Sequence, residues 1–449
     1  MSLEQFGYED QLDRALNLGD LIVYGMIFMV PIAPFSVFGF VWQEARGMVV
    51  LAYLIGLAGM LFTALSYAAM SRAFPLAGSV YAYVQRGLHE TAGFLAGWLI
   101  LLDYILIPAL LYLFSAVALH PLLPRVPAWA WLAGFVALNA VANILGVRFT
   151  ARLYKVLLAL ELLTLALFVI FGAMALYRGQ GAGRLTLAPL YDPRHFSLRT
   201  VAGATSIAVL SFLGFDGIST LSEENAGARN AIARATVVSL VLIGALFMLQ
   251  TWIAADLAHG MRFSSAATAF YTIAARAGGA WLGVAAILAV VISFGIANAM
   301  AAQAAVSRVL FAMARDRKLP AVLSAVHPRF KTPYVSTLLV AGVSLLVGLF
   351  FARRIDDLSR VVNFGALSSF ALLHLAVAYH YFFRQRTGAW LRHLIFPLAG
   401  LGVIVYVLYG MDPIAKILGG CWIALGIVYY LARASRSRNR AAAAGIPRG

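Results

Sequence analysis

The chain has 449 residues, 62% of them hydrophobic and only 12% charged. A mean hydropathy of +0.87 excludes a water-soluble globular protein and specifies a polytopic membrane protein. The formal charge of +16 does not indicate nucleic-acid binding, because Lys and Arg are dispersed among short connections between apolar runs, as orientation signals are.

Residues 1–19 are acidic and polar where a signal peptide would be basic and then apolar, so the first span is expected to stay in the mature protein behind a cytoplasmic segment. A spanning helix needs about 20 mostly apolar residues. That rule predicts twelve spans: 20–42, 47–71, 91–120, 126–146, 151–177, 201–224, 232–256, 280–312, 335–352, 358–383, 392–411 and 414–435. Alternate connections then assign 22 of the 34 Lys and Arg residues to the side that holds both termini and 12 to the other. Both termini are therefore expected in the cytoplasm, with the protein in the cytoplasmic membrane. The connections at 178–200 and 257–279 are long enough for short surface helices, and Gly93 and Gly97 form a helix-packing pair at the start of span 3. The basic tail 436–449 suits anionic lipid of the inner leaflet.

Spans 1 and 6 both carry helix breakers, Pro31 and Pro34 in MVPIAPFSVFG and Gly214 and Gly217 in SFLGFDG. Being five spans apart, they run in opposite directions, as in an inverted repeat that relates spans 1–5 to spans 6–10. The chain divides accordingly into a transport core over 20–390, with repeats at about 20–177 and 201–383, and an additional helix pair over 391–435. Broken helices are tolerated at membrane depth where they are buried in protein or line a cavity.

Three acids lie well inside apolar runs: Asp103 in LLDYILIP, Glu161 in LLALELLTLA and Asp216 in SFLGFDG. Each costs about 2.5 to 3.5 kcal/mol at mid-bilayer even on an insertion scale. No Lys or Arg lies near the centre of a span to neutralise them, so the counter-cation is expected from outside: a cationic substrate, a coupling ion or protons. The structural alternative is a neutral acid hydrogen-bonded to a backbone carbonyl. Phe212, Phe215 and Tyr104 stand within a turn of these acids and Phe364 opens span 10, which suits an ammonium group held by carboxylates and aromatic faces together. Glu223 and Glu224 close span 6 near Arg229 and Arg234, as an ion-pair gate on the cytoplasmic side or as a solvated helix end. No nucleophile and base, metal set or phosphate loop can be assembled, so an enzyme is not expected. Cys421 is the lone cysteine, and redox chemistry is not indicated.

The stretches FPLAGSVYAYVQRGL (74–88), GWLILLDYILIP (97–108), SFLGFDGISTLSEEN (211–225) and AVSRVLFAMARDRKLP (305–320) resemble the amino acid-polyamine-organocation transporter superfamily, most closely its putrescine importer group. The resemblance implies an all-α membrane protein of twelve helices with a five-plus-five inverted repeat and discontinuous helices 1 and 6. It also implies alternating access around a substrate site between those two helices. Asp216 matches the protonatable acid after the helix 6 break, and Asp103 with Tyr104 matches the LLDY pair of the putrescine group. Amino acid carriers of the superfamily have a Gly-Ser-Gly-like run in helix 1 that holds the substrate carboxylate; here the positions read Val30, Pro31, Ile32, Ala33, Pro34, and the prolines remove two donors. Glu161 stands where several relatives have a lysine, which suggests a role toward protons or the amine.

The expectation is an importer of putrescine or a similar small aliphatic amine, coupled to protons. Asp216 and Asp103 would hold the ammonium groups. Tyr104, Phe212, Phe215, Gly214 and Phe364 would line the pocket, and carbonyls at Val30, Pro31, Ile32 and Ala33 would accept ammonium hydrogens. Asp216 and Glu161 would serve proton coupling. Its partners would be the amine, protons and membrane lipid, with no cofactor, metal or nucleic acid, and its assembly a monomer or a loose homodimer. An amino acid permease of the same fold is the alternative, with a transporter-like sensor further behind.

Overall fold

The computed structural model describes residues 16–74, 79–146, 151–224, 230–315 and 319–443. Among them every regular element is helical. The first span is two helices, α1 (Leu18–Met29) and α2 (Pro34–Glu44), bent by 54° at the break between them. Helix α3 (Val49–Ala73) returns across the bundle, a short α4 (Ser79–Gly87) leads into the 30-residue α5 (Glu90–Leu119), and α6 (Ala128–Ile144) and α7 (Ala151–Tyr177) follow. The sixth span begins as α8 (Leu198–Ala208), tightens to 3-10 geometry over Val209–Phe212, breaks, and resumes as a 3-10 helix over Phe215–Glu224. The seventh is α9 (Ala231–Ala258). After α10 (Ala269–Gly278), a long composite span joins α11 (Ala280–Val290), a π-helical segment Val291–Asn298 and α12 (Ala299–Arg315). The remainder is α13 (Tyr334–Phe350), α14 (Ile355–Val377), α15 (Phe396–Gly410) and α16 (Pro413–Ala443).

By length and composition nine helices among the described residues can cross a membrane, and the bent pair makes ten. The fourth and ninth predicted spans fall on α6 and α13, apolar helices of 17 residues each, about 26 Å long against a hydrocarbon core of about 30 Å. The twelve-span count thus depends on these two. Burial separates core from periphery. The best window of the sixth span is 83% buried and that of the tenth 72%, whereas α15 and α16 reach only 22% and 17%. Spans 11 and 12 therefore offer most of their surface to lipid.

Local chemistry explains the element ends. Asn17 and Asp20 form a reciprocal capping box at the start of α1, which satisfies two otherwise orphaned N–H donors. Pro34 opens α2 at a position where its missing N–H costs nothing. Gly93 and Gly97 let α4 lie on α5, since a side chain at either would collide with Gln85 or Tyr81. Of the two long connections, 257–279 contains α10. The connection 178–200 contains no helix before α8 begins at Leu198; it is tied to α9 by Asp256, which accepts the Thr186 N–H at 2.9 Å and the Thr186 hydroxyl at 2.6 Å.

Candidate functional site

The two breaks meet. Pro31 and Pro34 lack the N–H groups that would bond the carbonyls of Ile27 and Val30, and Val30 adopts φ +52, an outlier conformation for a β-branched residue. Opposite it, Gly214 has φ +108. A Cβ there would lie 2.6 Å from the Phe28 carbonyl oxygen, so only glycine lets the backbone of span 6 touch that of span 1.

From this junction a cavity of about 860 Å³ runs toward the end of the bundle where α1 begins. Val30 and Ala33 of the first break line it, with Gly214 and Asp216 of the second, Asp103 and Tyr104 of α5, and Phe294 and Asn298 of the π-helical segment. Toward its mouth it reaches Tyr24, Gly146, Tyr154, Lys331 and Thr332. The opposite end is packed shut. Phe35 stacks on Phe270 at 4.0 Å between ring centroids, and the Tyr53 hydroxyl meets Ser211 at 3.0 Å. Beyond them Arg360 of α14 binds Glu44 of α2 at 3.1 Å, with Asp412 at 3.9 Å.

Asp216 is 4% exposed and Asp103 5%, and what exposure they have is toward the cavity. The Tyr104 hydroxyl donates to Asp216 Oδ2 at 3.0 Å. Tyr104 itself precedes Pro108 by four residues, so its carbonyl has no helical donor. None of the ion pairs among the described residues includes Asp103, Asp216 or Glu161. Glu161 is buried beside Ser293 of the π-helical segment; its Oε2 has no hydrogen-bond partner among the described residues, and it is not part of the cavity wall.

Several residues expected at the site are elsewhere. Phe212 is fully buried against Tyr53 and Phe247, and Phe215 is fully buried against Tyr67 and Phe370. Unwinding to three residues per turn advances each side chain by about 20° more than an α-helix does, which helps turn both rings into the core. Phe364 packs on Gly419 of α16, away from the cavity. Pro31 and Ile32 are buried too. The carbonyls expected to accept ammonium hydrogens already have partners: that of Val30 accepts from Ala33, that of Pro31 from Gln250, that of Ile32 from Phe35 and that of Ala33 from Ser36. The side chains of Glu223 and Glu224, and of the tail from residue 433 onward, lie outside the described residues. Conversely, Asn298 and Phe294 line the cavity without having been anticipated; a polar residue inside the apolar run FGIANAM was the available signal for Asn298.

Two broken helices meeting at a half-buried cavity with uncompensated acids define a membrane transporter. The family model for amino acid permeases matches residues 20–419, and the chain belongs to that family, whose helices form the inverted-repeat fold. Similar over 436 residues, at 30% identity, is the low-affinity putrescine importer PlaP of Escherichia coli (strain K12), with 96% of this chain and 95% of the relative covered. The branched-chain amino acid permease BcaP of Bacillus subtilis (strain 168) is 26% identical over 390 residues, covering 82% of this chain and 81% of the relative. The methylthioribose transporter of the same organism is 28% identical over 457 residues, with 94% and 93% covered. These relatives are named as transporters and permeases, not enzymes.

Proposed function

We propose that this permease imports putrescine or a similar small aliphatic amine across the cytoplasmic membrane by alternating access, with protons as the coupling ion and both termini in the cytoplasm. The observation that carries this reading is a mismatch of donors and acceptors at the junction of the broken helices. A substrate carboxylate needs free N–H groups. Of residues 30–34, Pro31 and Pro34 have none, and those of Val30 and Ala33 are already bonded to Met26 and Val30. That leaves at most the N–H of Ile32. A substrate amine needs acceptors, and Asp103 and Asp216 supply them on the same cavity wall, with no Lys or Arg paired to either among the described residues. An ammonium group is the complement of that wall.

Asp216 would bind one ammonium group with Tyr104 bonded beside it, and Asp103 would bind the second. Glu161, buried next to the π-helical segment with one oxygen unpartnered, would carry a proton in step with transport. An inside-negative potential adds about 2.3 kcal/mol per charge per 100 mV, so a dication gains about 4.6 kcal/mol. With cytoplasmic termini, the cavity mouth would be the cytoplasmic one and the shut end external.

The second reading is a carrier of branched-chain amino acids. The apolar lining of the cavity at Ile107, Leu110 and Phe114 and the similarity to BcaP favour it. Counterflow of labelled putrescine in proteoliposomes separates the two. Competition by diamines and not by leucine, alanine or arginine is the result expected of an amine carrier. Competition by leucine with no putrescine uptake would overturn it.

A further inference from the structure

The turn that joins the two halves of span 1 lacks one rung. Ala33 donates its N–H to the Val30 carbonyl at 2.8 Å, Phe35 to that of Ile32 at 2.9 Å and Ser36 to that of Ala33 at 3.2 Å, each a bond between residues three apart as in a 3-10 helix. The rung between them would run from residue 34 to the carbonyl of Pro31. Residue 34 is proline and has no N–H to give. The next N–H along the chain, that of Phe35, is taken by Ile32, so the backbone leaves the buried Pro31 carbonyl without a partner among the described residues.

Gln250 of α9 fills the gap. Its Nε2 donates to the Pro31 carbonyl at 2.9 Å and to the Leu246 carbonyl, one turn back on its own helix, at 3.0 Å. Both amide hydrogens are thereby engaged. The other end of the group shows what the arrangement costs: Gln250 is fully buried, and its Oε1 has no hydrogen-bond partner among the described residues. An unmatched buried acceptor is destabilising, and Met, an apolar side chain of similar length, would not carry one. What Gln supplies and Met cannot is the donor. Two more buried carboxamides repeat the pattern where other spans leave α-helical geometry. Asn139 of α6 donates to Gly295 in the π-helical segment at 2.8 Å, and Asn363 of α14 donates to Ser206, just ahead of the 3-10 turn of span 6, at 2.7 Å; the Oδ1 of each is unpartnered among the described residues.

We propose that Gln250 is a positioning residue for transport. It stands in for the N–H that Pro34 lacks and so clamps the break of span 1 to span 7, holding Val30 and Ala33 in place on the cavity wall. Gln250 itself does not line the cavity, so it acts through the break and not on the cargo. Its effect on uptake rests on the amine reading above; its effect on the break does not.

The experiment combines Gln250→Met with Pro34→Ala in the full-length protein, read by hydrogen exchange and, after reconstitution, by putrescine uptake. Gln250→Met removes one unmatched buried acceptor, its own Oε1, and creates another at Pro31, so thermal unfolding is expected to stay within about two degrees of the parent. Exchange of the Ala33, Phe35 and Ser36 amides is expected to speed up about ten-fold, with the rest of the bundle unchanged. KM for putrescine is expected to rise about five-fold, the scale of one buried hydrogen bond. Pro34→Ala returns an N–H to the missing rung, so in that background Gln250→Met is expected to alter exchange at the break by less than about two-fold. The clamp is overturned if Gln250→Met leaves exchange at the break or KM unchanged, or if it speeds exchange equally in the Pro34→Ala background. A drop in unfolding of more than about ten degrees also overturns it, since that marks a residue needed for packing throughout the bundle. A parent protein that neither binds nor takes up putrescine defeats the amine reading alone, and the exchange comparison then still decides the clamp.

Discussion

The two ends of the bundle treat carboxylates in opposite ways. At the shut end Glu44 and Asp412 share one cation, Arg360, whose side chain is 10% exposed. These groups come from spans 1 and 10 and from the link between spans 11 and 12. Around the cavity, Asp103 and Asp216 are more deeply buried and bind no Lys or Arg among the described residues. Supplying a guanidinium to an acid is thus within this fold's means, and it is done where acids hold helices together. On the proposed reading the cavity acids are bare because the cation that neutralises them is the cargo.

The strongest way to break that comparison is Asp216→Asn. Truncating one side of a buried, hydrogen-bonded charge pair costs about 2 to 5 kcal/mol, so putrescine uptake is expected to fall by about 30-fold or more. Retained uptake would mean the acid serves structure alone. Asp103→Asn sharpens the comparison, since a second carboxylate matters only to a second ammonium. Diamine affinity is expected to drop about ten-fold, or about 1.4 kcal/mol, while that of a monoamine of equal length changes less than two-fold. Equal losses for both amines would remove Asp103 from the second-ammonium role.

Much of this contrast was legible in the sequence, because it depends on residue types that are conspicuous in an apolar run. Proline pairs and glycines announced both breaks, and three acids without a nearby cation announced an unpaired charge. Side-chain direction was not legible. Phe212 and Phe215 neighbour Asp216 along the chain, yet both rings pack into the core on either side of the break. The Arg360 cluster escaped notice since its members are each unremarkable at a helix end, and Glu44 and Arg360 meet across 316 positions of sequence.

At the shut end the expected effect is smaller. Arg360→Met leaves Glu44 and Asp412 without their cation, but both are about a third exposed and water can take over part of the load. The loss is therefore expected to be about 1 kcal/mol, well short of the 3 to 5 kcal/mol of a fully buried pair. Thermal unfolding in detergent should show a drop of a few degrees, with putrescine affinity at the cavity nearly unchanged. A large loss of affinity with normal stability would show that the two ends are not separate in function.

The smallest effect marks where charge pairing ceases to matter. Lys155 of α7 meets Asp20 of α1 at 3.0 Å, but its side chain is 55% exposed. Exposed pairs of this kind contribute about 0 to 1 kcal/mol, since water competes for both groups and the long side chain loses freedom. Lys155→Gln is accordingly expected to shift thermal unfolding by less than about one degree and to leave uptake within about two-fold of the parent. A ten-fold fall in uptake at unchanged stability would instead place this pair among the contacts that must form and break as the cavity mouth opens and closes. The lack of a Lys or Arg partner for Asp216 among the described residues would then be one part of a wider redistribution of charge during transport.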